Sequence, residues 1–347
     1  MGTRAPLPTL LGALALSALA ACDSWTASTN NVPVDPIGGG TAVMAQKPAL
    51  ELNEGALTRI PLQGVRRVEA HWKEGDVEHA LIYRERVTGD GTGRFDLQFV
   101  ELIEPLLPPP QASQFEFLHE SREGLFFRYR DFEIRDFALF SANFNARQTG
   151  DVADVAGRPV ERWVVQRRAG PERRYIVDLD VENGIALRVC EELLDGTPVS
   201  LLQYESLNLA PDLNNVPFHQ PSNGEFALTT SGVGLARGLG FTPHQPRHLP
   251  RGYSLHEAAK LIDPKDGRTW AKLVYSDGVD LMFFVEGDPQ KPSPHVQPSA
   301  TQRPGTLRSM RVGLWTVLQS DYLGRDAIAM GKQGELALAD AIRSAYP

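Results

Sequence analysis

Residues 173–207 read RRYIVDLDVENGIALRVCEELLDGTPVSLLQYESL, and their period of two limits the fold more than any other feature of the chain. Tyr175, Val177 and Leu179 alternate with Asp178 and Asp180. In the next stretch Ile185, Leu187, Val189 and Leu193 share one face, with Arg188 and Glu192 on the other. Successive side chains of a strand point to opposite faces, so each stretch is a strand with one apolar side. Gly184 closes the first turn, Asp195-Gly196 is a two-residue hairpin signal, and a third strand follows. Catalytic carboxylates must converge on one substrate. This alternation instead spreads the acids over turns and over the face opposite the apolar set, except Glu191, which falls in register with that set. They are expected on the solvent side, where Asp178→Asn, Asp180→Asn or Glu192→Gln would each shift stability by only about 0.5 kcal/mol. DLDVENG begins like a calcium loop but has Glu182 and lacks the distal glutamate.

The same period recurs upstream. Val77, His79, Leu81 and Tyr83 oppose Glu78, Ala80, Ile82 and Arg84, and Phe95, Leu97 and Phe99 alternate with Asp96 and Gln98. TGDGTG between them predicts a hairpin, because its glycines tolerate positive φ. The prolines of EPLLPPPQ then break the pattern. Seven aromatics crowd residues 122–144, with a strand expected over 125–129 and helical spacing at Ile134, Phe137 and Phe140. Such a set is either packed core or the wall of an apolar cavity for an acyl-like ligand. Phe95, Leu97, Phe99, Phe126, Phe127 and Phe137 are the candidates for that wall.

The chain opens MGTRAPLPTLLGALALSALAACDSW. Its apolar run is too short to span a bilayer, which needs about 20 residues. A basic residue, an apolar stretch and small residues before a cut read as a secretory signal over residues 1–21. Leu19-Ala20-Ala21-Cys22 resembles a bacterial lipobox, which implies acylation of Cys22, anchoring by several chains and a periplasm-facing location. Asp23 favours the inner membrane under the enteric sorting pattern. Residues 22–48 lack periodicity and are rich in Ser, Thr, Asn, Gly and Pro, so they are expected to be a flexible tether. With Cys22 acylated, Cys190 is the only free thiol, read as a small packed residue. A net charge of −8 without a basic block argues against nucleic acid as a partner.

Downstream, residues 212–240 are broken by Pro and Gly and are expected to link two domains, 49–211 and 241–347. GVGLARG lacks the third glycine of a dinucleotide loop, where Arg237 stands, and reads as a flexible joint. The second domain is expected to be small and α+β. It has a hairpin turning at Ser276-Asp277-Gly278, further strands, and a terminal amphipathic helix presenting Leu336, Ala339, Ala341 and Ile342.

The first domain resembles the LolA-like superfamily, and within it the MucB/RseB group of periplasmic regulatory proteins. The resemblance rests on Gly157-Arg158, Arg174-Tyr175, Leu179-Asp180, Gly184, Leu187-Arg188 and Asp195-Gly196 in that order. The LPRGY start of the second domain, with its strand hairpin and final helix, resembles the C-terminal domain of the same group. This implies an unclosed antiparallel β half-barrel with short helices, followed by a small α+β domain. It further implies a binding or sensing module for a lipid, a lipoprotein acyl chain or an extended peptide. The alternative it implies is a negative regulator of an envelope-stress sigma factor, bound to a transmembrane anti-sigma factor. Cys22 departs from that group, whose members are soluble in the periplasm.

No enzyme motif is found. HEAAK places Lys260 where the second zinc ligand of H-E-x-x-H must stand, and His244, His248 and His256 share no regular face. No G-x-S-x-G elbow, phosphate loop or cysteine pair occurs. The expectation is no catalytic activity, no metal and no cofactor; a hydrolase using the acids is the third reading.

Overall fold

The computed structural model describes residues 48–74, 76–104, 131–150, 154–169, 173–218, 225–228, 230, 232–262, 267–288, 307–312, 315–322 and 325–346. Cys22, Asp23, the tether, Phe126 and Phe127 lie outside the described residues.

Two antiparallel sheets make up the chain. The first contains β1 (Pro61–Glu74), β2 (Val77–Asp90), β3 (Phe95–Glu104), β4 (Phe144–Gln148), β5 (Asp154–Val155), β6 (Arg158–Arg167), β7 (Arg173–Asp180), β8 (Ala186–Leu193) and β9 (Pro198–Asn208). Its order is β3-β2-β1-β9-β8-β7-β6-β4, with β5 beside β6, so the sheet stays open between β3 and β4. The expected hairpin is β2–β3 and the expected meander is β7–β8–β9. Short helices α1 (Ala49–Leu52) and α2 (Phe137–Asn143) pack against this sheet. Asp136 caps α2 by accepting from the Leu139 amide at 2.8 Å. Asn53, after α1, donates to the Gly184 carbonyl and accepts from the Ile134 amide, each at 2.8 Å. That contact holds the meander's first turn against the N-terminal helix.

The second sheet contains β10 (Glu225–Leu228), β11 (Ser254–Ile262), β12 (Thr269–Ser276), β13 (Leu281–Gly287), β14 (Leu307–Val312), β15 (Trp315–Tyr322) and β16 (Arg325–Gly331). Its order is β10-β11-β12-β13-β16-β15-β14. Helices α3 (Gly232–Leu239) and α4 (Glu335–Ala345) bury Leu235, Leu239, Leu338 and Ile342 against Leu273, Tyr275 and Phe284. The chain is therefore α+β, with an unclosed antiparallel sheet and a second, smaller sheet backed by helices.

Three sequence expectations need correction. Residues 225–239 are not a bare linker: β10 pairs with β11, and GVGLARG is helical, its Leu235 fully buried in the second core. Leu336 is 79% exposed, and the buried face of α4 is carried by Leu338, Ala339, Ala341, Ile342 and Ala345.

The acids of residues 173–196 are the third case. Asp178, Asp180 and Glu192 are buried, not solvent-facing, and Glu191 is buried in keeping with its register with the apolar set. Arg162 and Arg188 stand directly opposite Asp178 on the two neighbouring strands. Arg162 grips it with two bonds, 2.5 Å and 2.8 Å, and Arg188 lies 3.9 Å away. Arg158 pairs with Asp180, Arg174 with Glu192, and Arg173 with Glu191 at 3.0 Å. Long arginine stems from adjacent strands cover the carboxylates. Register shifts at Asp178/Leu179 and at Glu191/Glu192 also break the strict parity, so neighbours in sequence are buried together. Asp178→Asn is therefore expected to cost about 2 kcal/mol, because two arginines lose their charged acceptor. Urea unfolding followed by circular dichroism checks this; a loss near zero would return Asp178 to the solvent side.

Candidate functional site

The aromatics expected to line one concavity are distributed over separate clusters. Phe95 and Leu97 pack with Leu62, Val87, Ile185 and Tyr204. Phe99 packs against Val68, Ala70, Leu81 and Tyr83, its ring 6.3 Å from that of Tyr83. Phe137 lies against Ile134, Phe140, Phe144 and Val177, 5.8 Å from Phe140. The four described residues do not share one wall.

What the fold does bring together is the seam between the two sheets. The turn joining β12 to β13 reaches into the first domain, where Val279 joins the cluster of Phe140, Phe144 and Tyr175. The Gly278 carbonyl accepts from the Arg135 amide at 2.9 Å. Asn143 donates to the carbonyls of Gly252 and Asp277, each at 3.0 Å.

Beside that turn runs a charged network. Arg167 pairs with Asp277, lies 3.3 Å from Asp280, and stacks between Phe144 and Tyr253, 5.3 Å from each ring centre. The Tyr175 hydroxyl donates to Asp280 at 2.7 Å. Lys332 reaches Glu191 at 3.1 Å and Asp280 at 3.5 Å, and lies over the Tyr175 ring. Gln333 donates to the Tyr253 hydroxyl. These groups border a pocket of about 360 Å³ between the domains. Phe144, Ala169, Pro250 and Ala337 supply apolar wall; Arg167, Arg173, Arg251 and Lys332 outnumber the carboxylates of Glu191 and Asp280.

The environment tunes these groups. Burial pushes the Asp280 carboxyl up, but Lys332 and Arg167 outweigh it and hold the group below its ordinary 3.8. Burial lowers Lys332, yet Glu191 and Asp280 outweigh it and raise the ammonium above 10.5. Burial, with Asp280 and Glu191 nearby, lifts the Tyr175 phenol well above 10.0. A depressed acid stabilises the seam above its unfolded value and stops doing so as pH falls through its folded one; a raised lysine or tyrosine acts in the opposite sense. Domain docking is therefore expected to be flat through neutral pH, to weaken below about pH 4 with Asp280, and to weaken above about pH 10 with Tyr175 and Lys332. Small-angle scattering across pH tests this, and docking that weakened near pH 7 would contradict it.

None of these partners stood out in the sequence. Glu191 alone carried a signal, its register with the apolar set. Cys190 is buried and outside any disulfide, as expected. His244 bonds Glu286 at 2.8 Å and lies 4.7 Å from the Tyr346 ring, while His248 and His256 are exposed. Among the described residues no group of three or more His, Cys, Asp or Glu is placed to hold a metal, and no helix is long and apolar enough to cross a membrane.

No protein-family model matches the chain, and none of the curated proteins does. Among solved structures the chain is similar to MucB. The crystal structure of MucB in complex with MucA(peri) is 16% identical with a TM-score of 0.44, over 86% of this chain and 95% of that one. The Pseudomonas aeruginosa MucA/MucB complex is 15% identical with a TM-score of 0.44, over 86% and 96%. A crystal structure of MucB is 14% identical with a TM-score of 0.46, over 85% and 95%. At such identity and superposition no residue role passes from those proteins to this chain.

Proposed function

We propose that this chain is a non-catalytic binding and sensing module of the cell envelope that holds an extended segment of a protein partner at the seam between its two domains. The observation that carries this reading is the interdomain pocket, bordered by charged side chains from both domains. A pocket of that character suits a peptide better than an acyl chain, which needs a continuous apolar wall. The distribution of Phe95, Leu97, Phe99 and Phe137 over three packed clusters supports the same choice. The partner class follows from the resemblance of residues 157–196 to the MucB/RseB group. It is the periplasmic segment of a transmembrane anti-sigma factor, and holding it would shield it from proteolysis.

The test is isothermal titration of the full chain with the periplasmic segment of the anti-sigma factor encoded in the same genome. Saturable binding that slows proteolysis of the segment is expected; no heat and no protection would overturn the reading. Anchoring through an acylated Cys22, with Asp23 favouring the inner membrane, belongs to the same proposal. Cys22→Ser is expected to abolish alkynyl fatty-acid labelling and membrane partitioning. Labelling that persists in the variant would remove the anchor from the proposal.

A further inference from the structure

We infer that the interdomain pocket captures a carboxylate of an acidic, apolar peptide segment, with Arg251 as the docking cation. The inference rests on the binding role proposed above and names the chemistry of what is bound.

The chain carries a net charge of −8, so its surface as a whole repels anions. The pocket reverses that sign, with four cations against two carboxylates in its lining. Most of those cations are engaged. Arg167 serves Asp277 and Asp280, Lys332 serves Glu191 and Asp280, and Arg173 serves Glu191. Arg251 differs: it lines the pocket from the turn before β11, is exposed, and forms no ion pair among the described residues. It has the positive charge of the site left over after internal pairing. A guanidinium binds a carboxylate through two parallel bonds, which fixes orientation as well as affinity.

The apolar part of the lining sets the second requirement. Phe144, Tyr253 and Ala337 offer contact area beside the cations, so an anion flanked by an apolar side chain fits where a bare anion does not. In an extended segment, alternate side chains point the same way. An acidic residue two positions from an apolar one therefore sends both side chains into the pocket, the carboxylate to Arg251 and the apolar group to Phe144 and Tyr253.

The experiment uses the full chain in detergent and a fluorescein-labelled peptide of repeated Glu-Ser-Leu-Ser, which places glutamate and leucine on one face of an extended chain, read by fluorescence anisotropy. A glutamine counterpart and phosphatidylglycerol vesicles form the other two arms. Arg251→Glu is expected to weaken the glutamate peptide by about tenfold and Arg251→Ala by roughly threefold, with the glutamine peptide weak throughout. Arg251 is exposed and forms no ion pair among the described residues, so both variants should melt like the parent. Equal binding of the two peptides, or an unchanged affinity in Arg251→Glu, overturns the inference. Arg251-dependent binding of the vesicles alone overturns it in favour of an anionic headgroup. If the anti-sigma segment binds but peptide charge is immaterial, only this inference fails. If the glutamate peptide binds through Arg251 and the anti-sigma segment does not, only the partner assignment fails. If neither binds, both fail.

Discussion

Replacing Arg66 by methionine is expected to cost about 3–5 kcal/mol of folding stability, a large part of what a domain possesses. Arg66 lies within β1 and is fully buried. Its Nε donates to Glu85 at 2.7 Å, and its terminal nitrogens bond Asp131, one of them at 3.3 Å. Its guanidinium also lies 5.6 Å from the centre of the Tyr204 ring. Burial disfavours this charge, but Asp131 and Glu85 outweigh it and hold the guanidinium protonated more firmly than usual. Methionine fills much of the volume and supplies no cation, so Glu85 and Asp131 would remain buried without their principal partner. An ion pair in a low-dielectric interior adds little net stability over an apolar replacement, whereas breaking one side of it is costly. Adding Glu85→Gln and Asp131→Asn to the Arg66→Met variant should therefore recover part of the loss, with strong non-additivity. Urea midpoints of Arg66→Met, of Glu85→Gln/Asp131→Asn and of the combined variant decide it. A single variant within about 1 kcal/mol of the parent would mean that water reaches the carboxylates.

Elements governed by local pattern were legible before the structure. The meander of β7, β8 and β9, the β2–β3 hairpin, the turn at Ser276-Asp277-Gly278 and the terminal helix all follow from period and turn residues. β1 was missed, because Arg66 interrupts the apolar face carried by Leu62, Val68 and Ala70. Arg66 and Glu69 are themselves buried. The acids of β7 and β8 were misplaced for a related reason. Alternation reports which face a side chain takes, not whether an arginine on the next strand covers it. The signal was present in Arg162 and Arg188, whose parity matches that of Asp178 across two strand pairings. Register shifts then removed the parity itself at two points. The pairing across the seam was not legible, since Tyr175 and Asp280 are 105 residues apart and Lys332 and Glu191 are 141 apart. Nothing in periodicity says which charges of two sheets will face each other.

Gly278→Ala is expected to undock the two domains while leaving both folded. Gly278 has φ of +107, where an L side chain is strained by about 1–3 kcal/mol. The larger obstacle is contact: a Cβ there would lie 2.7 Å from the Phe140 Cα and 3.0 Å from the Leu139 carbonyl carbon. Those are backbone atoms of α2, so no side-chain rotation relieves the overlap and the turn must withdraw. Val279 would leave the cluster of Phe140, Phe144 and Tyr175, and the bonds from Asn143 and Arg135 to this turn would part with it. Each domain keeps its own core, so helical and strand content should persist while the radius of gyration rises and two thermal transitions replace one. Gly196→Ala separates the two causes, because Gly196 is also a hairpin glycine at positive φ, 89°, but has open space around its Cβ. It should show the backbone strain alone, with scattering like that of the parent. If Gly278→Ala proves no more costly than Gly196→Ala and equally compact, the seam is not close-packed at that turn. Undocking should also abolish partner binding, since the proposed site takes one wall from each domain.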